Sequence, residues 1–188
     1  NDANDANDAN DANDANDAND ATPRWHGWAL GLLKGLGFAA AAVIIMQVAG
    51  WARAPGLPEM APNLVLKDLA GQQVQLSQLK GQPVLLNFWA TWCGPCRIEA
   101  PAFSRFSSNH PNFHVIGVAA DGSPPKLEKA REQLGITYDV WRGTPEALAT
   151  YKITTFPTTV VIDADGSVVT AHTGMLFDPQ LELLTIGL

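Results

Sequence analysis

Cysteine is almost absent from this chain: 188 residues hold two, Cys93 and Cys96. Two thiols cannot complete a four-thiolate zinc site, and no second pair exists to join them. His110 and His114 stand four apart, but Pro111 between them argues against a helical ligand pair, so no metal site is read from the sequence. A bridge closing so short a loop constrains the unfolded chain little, which argues against a purely structural disulfide. An excess of positive charge is also missing. The net charge is −7, but seven of the 19 acidic residues lie in the first 21 positions; beyond them 12 acids face 12 bases. With no basic face, nucleic acid is not an expected partner. No methionine- or histidine-rich tract is present to support a copper-binding role.

Residues 1–22 are dominated by seven copies of Asn-Asp-Ala. Such repeats have too little apolar surface to fold, and they read as a disordered, solvated tail. Residues 23–52 follow as a signal-anchor. From Trp28 to Trp51 a helix would be about 36 Å long, enough to cross a hydrocarbon layer of about 30 Å. Trp25, Trp28 and Trp51 occupy interfacial positions, and Lys34 must snorkel to the near headgroups. Arg24 and Lys34 before the apolar core, against Arg53 after it, favour an inside N-terminus. The rival is a cleaved signal peptide ending at Ala52-Arg53-Ala54, but Pro55 follows at once and the segment is long for one. Either way the cysteines lie outside the cytoplasm. The expected location is the inner membrane, crossed once, with the catalytic domain in the periplasm or its equivalent.

Residues 53–62 are proline-rich and read as a semi-rigid tether. The domain then runs over 63–188. Leu64–Leu69 and Val74–Leu76 form a hairpin turning at Ala70-Gly71. Val84–Trp89 is a continuous apolar strand, the pattern of burial on both faces. Cys93 opens a helix in which Ile98, Ala102 and Phe106 share an apolar face and Pro101 introduces a kink. Phe113–Ala120, Tyr138–Trp141 and Thr158–Ile162 are further strands, and Asp165-Gly166 turns into Ser167–Ala171. Ser123-Pro124, Thr144-Pro145 and Asp178-Pro179 each pair a capping side chain with a first-turn proline, marking helices near 125–134, 145–151 and 179–186. The result is an α/β sandwich with a mixed central sheet.

Trp92-Cys93-Gly94-Pro95-Cys96 carries the chemistry. Cys93 sits at a helix N-terminus, where unpaired amides and the helix dipole favour a thiolate. Lowering a thiol from ~8.5 to near ~7 needs only about 2 kcal/mol. Cys96, one turn on, is expected to be the more buried thiol. Cys93 would attack a target disulfide, and Cys96 would resolve the mixed disulfide. No cofactor is called for beyond the redox-active Cys93–Cys96 pair. Asp121, at a strand end, reads either as lining the cleft or as capping the next helix.

The segment Gly81-Gln-Pro-Val-Leu-Leu-Asn-Phe-Trp-Ala-Thr-Trp-Cys-Gly-Pro-Cys-Arg-Ile-Glu-Ala-Pro101 resembles the active-site segment of the TlpA/ResA-like branch of the thioredoxin superfamily. Thr154-Thr-Phe-Pro-Thr-Thr-Val-Val-Ile-Asp-Ala-Asp-Gly166 is similar to that branch's proline loop. The resemblance covers about 63–188, and copper-tolerance-linked and cytochrome c maturation thioredoxins are its nearest subgroups. It implies a thioredoxin-like fold and a cis Phe156–Pro157 bond packed beside the disulfide. Phe156 and Pro157, with Trp92, Gly94 and Pro95, then become substrate-binding candidates. Thioredoxin keeps a buried aspartate where this chain has Asn87, which cannot take a proton. The branch instead has a glutamate matching Glu99, so Cys93, Cys96 and Glu99 form the candidate catalytic set.

The resemblance further implies a membrane-tethered protein thiol–disulfide oxidoreductase acting as a reductase. An integral membrane thiol-transfer protein of the DsbD/CcdA type would be its electron donor. Substrates would be protein disulfides: apocytochrome c, a copper-site protein or an oxidised oxidoreductase. The alternatives are a thiol oxidase of protein folding, a copper-binding or metallochaperone module using the same cysteines, and a peroxidase using Cys93.

Overall fold

The computed structural model describes residues 25–188; the Asn-Asp-Ala repeat lies outside them. The chain divides into two units, Asn1–Val43 and Ile44–Leu188. A 28-residue helix, α1 (Trp25–Ala52), occupies the expected anchor segment. Among the described residues, however, no helix is long and apolar enough to cross a membrane. The helix of the expected signal-anchor is present. Lys34, Gln47 and five glycines dilute its apolar run. Leu36 and Phe38, and in the second unit Ile44, Ile45 and Val48, are exposed.

In the second unit the strands are β1 (Val65–Asp68), β2 (Gln73–Gln75), β3 (Val84–Trp89), β4 (His114–Ala119), β5 (Asp139–Arg142), β6 (Thr158–Ile162) and β7 (Val168–Thr173). They form one mixed sheet in the order β2-β1-β5-β4-β3-β6-β7. β3 lies parallel to β4 and antiparallel to β6, and all six of its residues are buried. Its continuous apolar run follows from this central place. Leu85 and Trp89 join one core, with Phe103, Phe106, Phe113 and Leu127. Leu86 and Phe88 join the other, with Ile116, Trp141 and Tyr151. Each large side chain fully buried contributes about 1.5–3 kcal/mol.

The helices are α2 (Gly94–Asn109), α3 (Pro124–Leu134), α4 (Pro145–Thr150) and α5 (Asp178–Leu184). Each carries a proline in its first turn, where the missing N–H costs nothing. Thr144 caps α4 as expected, its hydroxyl accepting from Ala147 N–H. Asp178 does not cap α5: Phe177 holds the N-cap position, and the Asp178 carboxylate grips Arg105 of α2 instead. α2 runs through Pro101 without ending. Its buried side is Cys96, Glu99, Ala100, Ala102, Phe103, Ser104 and Phe106, and Ile98, placed on the apolar face from the sequence, is exposed.

The proline-rich stretch lies against the domain. Ala54, Leu57 and Ala61 pack on the second core, Tyr151 Oη donates to Pro62 O, and Met60 bridges Ser167 beside β7. A cavity of about 220 Å³, lined by Met60, Leu76, Lys80, Val84 and Ile162 among others, opens at the end of the sheet away from the cysteines.

Candidate active site

β3 ends at Trp89, and the chain turns through Ala90–Cys93, closed by Cys93 N–H donating to Ala90 O at 3.1 Å. Cys93 is the N-cap of α2, and its Sγ accepts from Cys96 N–H at 3.2 Å. Cys93 and Cys96 are joined as a disulfide, with Cα atoms 5.3 Å apart. The N-cap position fits the expected use: a helix-terminal amide already points at the sulfur that would carry the negative charge on reduction. The expected difference in burial is absent. Cys93 and Cys96 are 4% and 3% exposed, because both sulfurs pack into the first core.

Trp92, by contrast, is 70% exposed, and Gly94 and Pro95 are exposed beside it. The Trp92 ring meets that of Phe156 edge-on at 5.8 Å. The Phe156–Pro157 peptide bond is cis, as the resemblance implies. Phe156 is half-buried against the core that contains both cysteines, and Pro157 is buried. Trp92, Gly94 and Pro95 thus place an exposed rim beside a buried disulfide, and the Trp92 ring reaches that of Phe156.

Glu99 is buried, not a solvated helix-face residue. Asn87 Nδ2 donates to its Oε1 at 2.8 Å, and Leu176 N–H donates to its Oε2 at 3.1 Å. Asn87 also donates to Thr159 Oγ1 at 3.1 Å, which ties the carboxyl to β3 and β6 together. Burial pushes the Glu99 carboxyl up to about 8, against the two hydrogen bonds, which favour the ionised form. Glu99 follows Cys96 by one helical turn, so a group titrating in the thiol range stands next along the helix from the second cysteine.

Sequence reading missed one member of this site and the role of two others. Leu176 contributes a backbone amide, which leaves no side-chain signal. Asn87 was read for what it cannot do, and its amide turns out to fix Glu99. Asp121 does not cap α3, whose N-cap is Ser123; its carboxylate reaches Thr91. Among the described residues no cluster of three or more His, Cys, Asp or Glu could hold a metal. His110 stacks on Phe106 at 4.2 Å.

A sequence profile of the AhpC/TSA family matches residues 57–171. The thioredoxin-like protein YneN of Bacillus subtilis is 33% identical over 128 residues, covering 66% of this chain and 75% of that protein. The thiol-disulfide oxidoreductase ResA of the same organism is 33% identical over 126 residues, covering 64% and 69%. Among solved structures, a thiol:disulfide interchange protein of the thioredoxin family from Chlorobium tepidum superposes with a TM-score of 0.62 at 29% identity, covering 70% of this chain and 96% of that one.

Proposed function

The chain belongs to the AhpC/TSA family, beside thioredoxin-like relatives of the ResA kind, and from that membership we propose that it is a protein thiol–disulfide oxidoreductase working as a reductase. The observation that carries the reading is the Cys93–Cys96 bridge at the N-terminus of α2, with the Cys96 amide donating to Cys93 Sγ.

In the reduced protein the Cys93 thiolate attacks one sulfur of a target disulfide. A mixed disulfide forms, and the other target sulfur leaves as a thiolate and takes up a proton. Cys96, once deprotonated, attacks Cys93 Sγ; the intramolecular bridge closes and the second target thiol is released. Two electrons pass to the target, and the pair is left oxidised, the state seen here. Glu99 is the group suited to accept the Cys96 proton, since its carboxyl titrates near 8. Trp92, Gly94, Pro95, Phe156 and Pro157 form the surface on which the target segment docks.

The protein is anchored by α1 and works outside the cytoplasm, where a reductase needs a continuous electron supply. An apolar helix whose hydrophobic residues are spread round its circumference, with Leu36, Phe38, Ile44 and Ile45 exposed, suits a lipid surrounding. A membrane thiol-transfer protein of the DsbD/CcdA type is the proposed donor. A reduction potential near the thioredoxin value of about −270 mV supports the reductase; one near about −120 mV makes it an oxidant of folding proteins.

The decisive experiment is replacement of Cys96 by Ala. The variant is expected to accumulate mixed disulfides between Cys93 and its natural partners, recovered by diagonal electrophoresis. If no mixed disulfide forms while Cys93 still reacts with an alkylating agent, exchange through these cysteines is wrong.

A further inference from the structure

β3 and β4 run parallel and in register up to Trp89 and Ala119, and Ala120 N–H donates to Trp89 O at 2.8 Å. The two strands therefore end side by side, which brings residue 121 against residue 91. Gly122, at φ +107°, turns the chain away immediately afterwards, a conformation side-chain-bearing residues rarely adopt. The Asp121 carboxylate is thereby left at the mouth of the turn that carries the cysteines. Thr91 N–H donates to its Oδ1 at 2.7 Å, the Thr91 hydroxyl donates to its Oδ2 at 2.6 Å, and Lys126 Nζ lies 2.7 Å from Oδ2.

Thr91 is the second residue of the Ala90–Cys93 turn. The following residue, Trp92, is mostly solvated and among the described aromatics meets the Phe156 ring alone, so it gives the turn little anchorage. The turn's direction nevertheless decides whether Cys93 Sγ faces the first amides of α2. We propose that Asp121 is a positioning residue for thiol–disulfide exchange: by gripping both polar groups of Thr91 it fixes the turn that seats Cys93 at the helix terminus and presents Trp92 to the substrate.

Partial burial alone would raise the Asp121 pKa, but hydrogen bonds from Lys126 and Thr91 outweigh it and hold the carboxyl below its ordinary range. It is therefore an anion at every pH where thiols exchange. Charge-assisted bonds of this kind are about twice as strong as neutral ones. Lys126 balances the charge, so the clamp adds little net negative potential beside the thiols.

The proposal rests on the oxidoreductase reading, and the test separates the two. Three variants of the full chain, D121A, D121N and T91V, are compared with wild type in detergent after reduction with dithiothreitol. Two quantities are read: kcat/KM for reduction of insulin disulfides, and the pH titration of Cys93 thiolate absorbance at 240 nm. Loss of the clamp in D121A is expected to lower kcat/KM about tenfold, the order of one charge-assisted hydrogen bond, and to move the thiolate titration to higher pH. D121N can still accept from the Thr91 amide; it is expected to recover most of the rate, with no upward move of the titration. T91V keeps the backbone bond and is expected to lose about threefold in rate. A purely structural Asp121 would lower the melting temperature and leave both quantities per folded molecule unchanged, which overturns the proposal. D121N as impaired as D121A also overturns it, since charge rather than grip would then be at work. Should D121A fail to fold, an unaltered rate and titration in T91V refutes the clamp. A wild-type protein that does not reduce insulin counts against the oxidoreductase reading instead, while the thiolate titrations still decide on Asp121.

Discussion

Glu99 should make a contribution to the stability of the oxidised protein that falls steadily between weakly acidic and weakly alkaline pH. Burial raises its carboxyl from 4.5 to about 8 in the folded state, with the Leu176 and Asn87 hydrogen bonds pulling the other way. In the unfolded chain the same group ionises near the ordinary value of about 4.3. Between those limits the unfolded state has released the proton and the folded state has kept it. Stability then falls by about 1.4 kcal/mol per pH unit. The contribution is whole below the unfolded pKa and is lost as pH rises through the folded one, about 5 kcal/mol in all. That is a large share of the 5–15 kcal/mol typical of a domain.

A second buried group works in the opposite sense. Desolvation lowers the pKa of His172, so the unfolded state takes up that proton first on acidification, and its contribution is lost as pH falls below about 6.5. The comparison must therefore be a difference. In Glu99→Gln the His172 contribution is retained and cancels, while the carboxyl contribution is gone. Gln turns an amide toward the Leu176 N–H, so the variant is expected to begin about 1 kcal/mol below wild type at pH 5. It should cross above wild type before pH 8.5. Urea unfolding of the oxidised full chain in detergent, from pH 5 to pH 9, measures both curves. A difference that stays constant within about 0.5 kcal/mol over that range would show that Glu99 ionises normally, and the argument for its proton role would go with it.

Two further outcomes follow from packing. Gly50 has no room for a side chain: a Cβ there would stand 2.4 Å from His172 Cε1 and 2.6 Å from Thr173 O, so Gly50→Ala should cost about 2 kcal/mol in urea unfolding. Gly37 has nothing within 4 Å, and Gly37→Ala should cost nothing; equal losses at both positions would refute the contact. Trp92→Ala removes a ring that is 70% exposed, so the melting temperature should hold while KM for a protein disulfide rises several-fold. An unchanged KM would remove Trp92 from the docking surface.

Where one physical factor decides a segment, the sequence showed it. Val84–Trp89 is apolar throughout because neighbours cover both faces of β3, and it was read to the residue. The first-turn prolines located α3, α4 and α5 within a residue or two. The reading of α2 failed at Ile98 because the true inward face includes Cys96, Glu99 and Ser104. Hydrophobic periodicity passes over a face that carries its own polar chemistry and selects a neighbouring one. Asp178 was taken for a cap because an Asp-Pro pair usually is one; its actual partner, Arg105, lies 73 residues away.

The same distance effect governs the centre of the site. Asn87 and Glu99 are twelve residues apart, and Leu176 is 77 beyond Glu99, so nothing local announced that they meet. Asn87 was noted as a lost proton carrier on β3. In the fold its amide donates to a carboxyl supplied from α2, so the buried region beneath the disulfide still contains one ionisable acid. The two positions are complementary in a strict sense. A carboxyl at both would place two acids within hydrogen-bonding distance in a desolvated site, where only one could ionise, and an amide at both would leave no proton acceptor. Asn87 with Glu99 keeps one acid, holds it with two donors, and leaves desolvation to set its pKa near those of the thiols it is proposed to serve.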